Sequence, residues 1–217
     1  MCGRFTQTKS RKEAVEALGG IELPPLFHGR YNIAPTQSVA VIRQEDPSRA
    51  EECIWGFKNP RSNGVVINAR SETLSERPLF KDLLFTNRCL IPADGFYEWK
   101  ARQPYYFQTA EKRLFAFAGL WRDGRCVVIT RAADANMQGI HDRMPVILPP
   151  NRWNDWLLVH PIGKSRLTIV TLDLPPIPEA LTARPVSRRV NKVANDDSAC
   201  LDPGEEQADL SLFPSEE

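Results

Sequence analysis

Three features of the sequence predict a strand-dominated α+β fold. Short apolar or alternating runs rich in β-branched and aromatic residues recur along the chain, stretches with helical spacing are few, and Gly, Pro or Asn stands at most boundaries between them. At 217 residues the chain suits one sizeable domain.

Ser10 followed by Glu13 forms a capping box that opens a short helix through Leu18, and Gly19 and Gly20 end it. Strands follow at "SVAVIR", "ECIWGF" and "GVVINAR". "RPLFKDLLFT" fits a helix because Leu79, Leu83 and Leu84 recur at helical spacing. A run of strands comes next: "RCLIPADGFYEWK", "PYYFQT", "RLFAFAGLWR", "CVVITRA" and "MPVILP". A double proline then introduces a helix at "NRWNDWLL" with Asn151 as its N-cap, and "LTIVTL" reads as a further strand. There is no internal repeat and no glycine-rich phosphate loop of the nucleotide-binding kind.

Charge divides the chain unevenly. Eight of the 27 acidic residues lie from Asp196 onward, where Lys and Arg are absent, so the preceding residues carry 28 basic against 19 acidic side chains. We therefore expect a basic domain over 1–195 and an acidic, flexible tail over 196–217. Arginine outnumbers lysine, and its planar fork suits bidentate phosphate contacts. A soluble surface that merely favours arginine fits the same numbers. The five cysteines are scattered and odd in number, which argues against a disulfide framework, and the absence of Cys-x-x-Cys with only three histidines argues against a metal site. With no membrane span and no apolar signal region, the expected location is the cytoplasm.

Several polar residues sit where core packing does not ask for them. Cys2 directly follows Met1, so removal of Met1 would leave one residue with two nucleophiles, an α-amine and a thiol. Asn68, Arg70, Ser71 and Glu72 end the apolar run "VVINARSET" abruptly. Glu98 lies between Tyr97 and Trp99, where desolvation would raise its pKa, and His141 and Arg143 stand at the entrance of an apolar strand. Each has a plainer reading. Asn68 also fits a strand or turn cap, Glu98 an ion pair with arginine, His141 a satisfied structural histidine, Cys2 a disordered terminus, and Trp55 and Trp99 the core.

The blocks "MCGRF", "YNIAPTQ", "NARSET", "RCLIPADGFYEW", "FAFAGLW" and "IHDRMPVIL" together resemble, in order and across about residues 1 to 195, the SRAP (SOS-response-associated peptidase) family. "WGFKNP" at 55 to 60 departs from the pattern, since an apolar residue commonly replaces Phe57 or Lys58 there. The resemblance implies mixed and antiparallel sheets forming a barrel-like core with a few peripheral helices. It also implies a protein that recognises abasic sites in single-stranded DNA and joins them covalently through its N-terminal cysteine. The functional residues carried over are Cys2, Asn68, Glu98 and His141. The older peptidase proposal has the same site remove residues ahead of Cys2.

The chemistry agrees with the resemblance. An abasic deoxyribose opens to an aldehyde, with which a 1,2-aminothiol forms a Schiff base and then a thiazolidine, while β-elimination of the 3′ phosphate is an available side reaction. Arg4, Arg70 and Arg143 lie within two residues of the catalytic candidates and are expected to contact flanking phosphates. Trp99, with Trp55 or Pro35, is expected to stack on or wedge beside neighbouring bases. The expected partner is single-stranded DNA containing an abasic site, bound by a monomer without metal or small-molecule cofactor. Two rival readings remain: an N-terminal-nucleophile thiol hydrolase or amidotransferase, and a noncatalytic DNA-binding or interaction module.

Overall fold

The computed structural model describes residues 2–25, 27–135, 137–157 and 181–204. In chain order the early elements are β1 (Arg4–Gln7), α1 (Arg11–Ala17), β2 (Arg30–Ile33), β3 (Ser38–Arg43), β4 (Asp46–Trp55), β5 (Phe57–Lys58), β6 (Val65–Val66) and β7 (Asn68–Arg70). A single helical turn, α2 (Leu83–Thr86), leads into β8 (Arg88–Ala93), β9 (Gly95–Lys100), β10 (Gln103–Thr109), β11 (Phe115–Arg122) and β12 (Arg125–Ala132). The remainder is β13 (Arg143–Pro145), β14 (Ile147–Leu148), α3 (Trp153–Leu157) and β15 (Leu181–Pro185).

An antiparallel layer and a mixed layer result. One sheet has the order β15-β10-β9-β1-β2, the other β13-β12-β4-β3-β8-β11-β14 with β7 added alongside β12. Because β12 also pairs with β11, the strands β12, β4, β3, β8 and β11 return on themselves and make a partly closed ring, the barrel-like core that was expected. The core it shares with the five-stranded sheet is aromatic. Phe5 meets Trp55 and Phe117 edge to face at 5.1 and 5.5 Å, and Phe96 stacks on Phe107 at 5.0 Å, pairs that each add about 0.5–1.5 kcal/mol beyond area burial.

The two sheets join at Asp94–Gly95, where the expected long strand "RCLIPADGFYEWK" leaves one sheet as β8 and enters the other as β9. Asp94 pins β1 to that corner by accepting hydrogen bonds from Thr6 Oγ1 and from Thr8 N (2.7 Å) and Oγ1 (2.6 Å). Gly95 is required there, since a Cβ would overlap the Tyr106 hydroxyl. "ECIWGF" breaks in the same manner at Gly56, whose φ of 118° is left-handed and divides β4 from β5.

The capping box forms as read, with Ser10 and Glu13 bonded reciprocally. Other local readings need correction. "RPLFKDLLFT" supplies only one helical turn, because Pro78 lacks an N–H and residues 77–85 mix i→i+3 with i→i+4 bonds; Phe80, Leu83 and Leu84 still reach the core. Asn151 is not an N-cap: it lies inside a 3₁₀ turn, Pro150–Arg152, that precedes α3 and is entered from Pro149. β1, β2 and β15 were not anticipated. "LTIVTL" lies outside the described residues.

The acidic segment does not begin as a free tail at 196. Asp196 accepts bonds from Arg30 Nε (2.6 Å), Tyr31 N (2.6 Å) and Asn32 N (2.8 Å), Asp197 pairs with Arg189, and Cys200 is fully buried. Residues 205–217 lie outside the described residues.

Candidate active site

β1 runs antiparallel to β9, with Arg4 opposite Tyr97 and Phe5 opposite Phe96, so Cys2 reaches the rim where β9 ends. Side chains alternate along β9. Phe96 and, two residues on, Glu98 turn toward the core that holds Cys2 and Phe5, whereas Tyr97 and Trp99 turn to the opposite face with Val186, Val190 and Cys200. Glu98 is thereby only 2% exposed. Burial raises its carboxyl to about 7, the positive amino terminus pulling the other way by charge and hydrogen bond.

Asn68 is the first residue of β7, held parallel to β12 with Asn68 beside Val128. Its Nδ2 donates to the Cys2 carbonyl at 2.9 Å, and its buried Oδ1 has no hydrogen-bond partner among the described residues. Cys2 itself is fully buried; that burial, and then the nearby Glu98 charge, pushes its thiol well above the usual range.

His141 is brought in by the loop before β13, its backbone N–H bonded to the Met137 carbonyl, and its Nε2 lies 3.9 Å from Glu98 Oε2. Two groups at its Nδ1 demand opposite protonation: the Arg143 N–H donates to it at 2.9 Å, while Asp142 Oδ1 lies at 2.9 Å. The backbone donor is fixed, and the Asp142 side chain is 86% exposed and free to hydrate. Nδ1 therefore accepts, and the proton sits on Nε2, facing Glu98. Burial lowers the pKa of His141, which favours this neutral form.

The four catalytic candidates thus converge from four separated segments. The expected DNA contacts divide. Trp55 is 0% exposed, packs on Phe5 and donates Nε1 to the Ile67 carbonyl at 3.1 Å, so it is a core residue and cannot stack on a base. Arg143 is bound as a fork by Glu72 (2.6 and 2.9 Å) and to the Thr130 carbonyl, with 12% of its side chain exposed. Arg4 donates to Asn32 Oδ1 (2.8 Å) and to the Val190 carbonyl (2.7 Å). Both guanidinium groups are held by the protein itself. Arg70 is exposed and makes no ion pair among the described residues, and Pro35 and Trp99 are half-buried at the rim, where Trp99 Nε1 donates to Asn191 Oδ1 at 2.8 Å.

Sequence reasoning missed Asn32. It is fully buried, accepts from Arg4 and donates to the carbonyls of Val190, Lys192 and Asn195, so it ties β2 to the C-terminal segment. The available signal was an amide inside the otherwise apolar "YNIA". Among the described residues no group of His, Cys, Asp and Glu is arranged to hold a metal ion, and no helix is long and apolar enough to cross a membrane.

A family model described as SOS response associated peptidase (SRAP) matches residues 1–193. The chain is 34% identical over 224 residues to the abasic site processing protein YoaM of Bacillus subtilis, covering 93% of this chain and 98% of that one. It is 30% identical over 227 residues to the abasic site processing protein YedK of Escherichia coli, covering 94% and 100%. With the abasic site processing protein HMCES of Xenopus tropicalis it shares 32% identity over 276 residues, covering 93% and 78%. A solved structure of a phage-related protein from Bordetella bronchiseptica superimposes with a TM-score of 0.68 at 31% identity, over 85% of this chain and 94% of that one. A second protein from the same organism gives 0.70 at 25% identity, over 86% and 100%.

Proposed function

The chain belongs to the SOS response associated peptidase family, and from that premise we propose that it processes abasic sites in DNA, capturing the sugar aldehyde in single strands through Cys2. The names of its relatives support the substrate. The observation that carries the mechanism is the burial of Glu98 against Cys2, which leaves a carboxyl with a pKa of about 7 beside a latent aminothiol.

Hydrolysis of the Met1–Cys2 bond, by an aminopeptidase or by the protein itself, frees the Cys2 α-amine. Asn68 anchors the Cys2 carbonyl and so restricts how the amine and thiol present themselves. The amine adds to C1′ of the ring-opened sugar and gives a carbinolamine, with the proton shift from nitrogen to oxygen carried by His141. Protonated Glu98 then gives its proton to the departing hydroxyl, water leaves, and an iminium forms. Glu98, now a carboxylate, takes the proton of the Cys2 thiol as sulfur bonds to C1′. The five-membered thiazolidine closes and Glu98 returns to its acid form. A group titrating near 7 suits both directions of this transfer. The iminium also acidifies the 2′ protons, so slow cleavage on the 3′ side accompanies capture. Arg70, Trp99 and Pro35 flank the strand, and we place the protein in the cytoplasm as a monomer acting on DNA.

The test mixes protein whose mass shows Met1 removed with single-stranded DNA bearing one abasic site, followed by a denaturing gel beside Cys2→Ala. A shifted band that the variant lacks is expected. Its absence from the mature protein would remove the capture mechanism and put thiol hydrolase chemistry at the same site in its place.

A further inference from the structure

The rim that carries Cys2 has a second component which neither the reaction nor the family resemblance uses. β9 ends and β15 ends at the same edge of the five-stranded sheet, so the chain leaving β15 passes directly beside the candidate site. There it makes a 3₁₀ turn, Arg188–Asn191, and continues through Lys192 and Val193. Its backbone is clamped: Asn32 Nδ2 binds the carbonyls of Val190, Lys192 and Asn195, and Asp196 takes the N–H groups of Tyr31 and Asn32. Its outward side chains are not. Arg188 and Lys192 are exposed and make no side-chain hydrogen bond or ion pair among the described residues, while Arg189 between them is neutralised by a fork to Asp197 (3.0 and 2.6 Å). Val193, at 43%, is the one large hydrophobic residue that is exposed among the described residues.

A fixed backbone presenting two uncompensated cations and an apolar side chain fits a flexible polyanion with apolar faces. We infer that residues 188–193 form a docking ridge for the single strand flanking the abasic site, Arg188 and Lys192 holding phosphates and Val193 lying against a sugar or base. The ridge meets the rim of the site on the face of β9 opposite Glu98, where Asn191 holds the ring of Trp99 and the Val190 carbonyl accepts from Arg4, two residues from Cys2. Its backbone is ordered on folding, so DNA binding need not order it again. This inference rests on the abasic-DNA reading above, and its test keeps the two separable.

Binding of a single-stranded oligonucleotide carrying one tetrahydrofuran residue, an abasic analogue without an aldehyde, is measured by anisotropy across a salt series, with covalent capture of true abasic DNA followed in parallel. For Arg188→Gln combined with Lys192→Gln, the slope of log affinity against log salt is expected to become shallower by about 1.4, from about 0.7 for each lost phosphate contact. Val193→Ala weakens binding without changing the slope. Lys112→Gln, beyond the opposite end of β10, leaves both unchanged. Equal slopes in the wild type and the double variant would overturn the ridge whatever the capture assay shows. A shallower slope in the variant, with no capture by the wild type, would keep the ridge and remove the proposed chemistry.

Discussion

Glu98 and Glu72 face the two ends of the same tripeptide, His141 to Arg143, and their surroundings treat them in opposite ways. Glu72 is half-exposed and held by the Arg143 fork, which draws its carboxyl down to about 2. Glu98 is buried, has a neutral imidazole rather than a guanidinium at 3.9 Å, and rises to about 7. A carboxylate with a matched cation is locked in one protonation state and serves as structure. One whose burial outweighs the positive charge beside it, here the amino terminus, exchanges its proton near neutrality and is available for chemistry. The sequence spacing places Arg143 next to catalytic candidates, and the structure adds that Glu72 already pairs with its guanidinium.

The largest expected effect removes the mobile proton. Glu98→Gln keeps the shape but should slow crosslinking by about 10²–10⁴-fold, with affinity for the aldehyde-free analogue unchanged. Capture at the wild-type rate in a single-turnover gel assay would break the comparison. The wild-type rate should also depend on pH through an apparent pKa near 7, the value burial sets for Glu98, and that dependence should disappear in the variant.

Glu72→Gln should act in the other way. It leaves the partly buried Arg143 without its charged partner and is expected to cost about 1–2 kcal/mol in urea denaturation, the low end for a charged hydrogen bond because Glu72 is partly solvated. Capture by the folded protein should change no more than a few-fold. A large loss of rate at unchanged stability would mean that the fork does more than hold the loop.

The smallest effect is a matter of sign. Between pH 4.5 and about 7 the unfolded chain has released the Glu98 proton while the folded protein retains it, so Glu98 makes stability fall as pH rises through that window. Between about 2 and 4.5 the folded protein has released the Glu72 proton while the unfolded chain keeps it, so that contribution is lost as pH falls. Denaturation midpoints across pH should show Glu98→Gln flattening the upper limb and Glu72→Gln flattening the lower one. Exchange of those assignments would overturn the reading of both groups.

Much of the strand framework was legible because a half-buried strand must alternate and a buried one must be apolar. "SVAVIR", "PYYFQT" and "CVVITRA" contain or closely match β3, β10 and β12. β1, β2 and β15 were not legible. "RFTQ", "RYNI" and "LTARP" are short and mixed in polarity, and they become strands by pairing with partners distant in sequence. The reading of "RPLFKDLLFT" failed for a related reason: apolar spacing places side chains on one side, but Pro78 and tertiary packing decide whether the backbone forms a regular helix.

The sequence by itself determined that strands would dominate and where the capping box falls, and it offered four residues with the side chains that aminothiol chemistry would need. Those outcomes rest on local sterics, period-two patterning and the intrinsic reactivity of side chains, all of which act within a few residues. Only the tertiary structure decided that Trp55 is core and Trp99 is rim, that Arg4 and Arg143 are held internally, and that Asn32 fastens the C-terminal segment beside the site. Burial and charge pairing depend on neighbours 60 or more positions away, as between Asn68 and Cys2 or Glu72 and Arg143, and those neighbours are chosen by sheet register, which no short stretch of sequence contains.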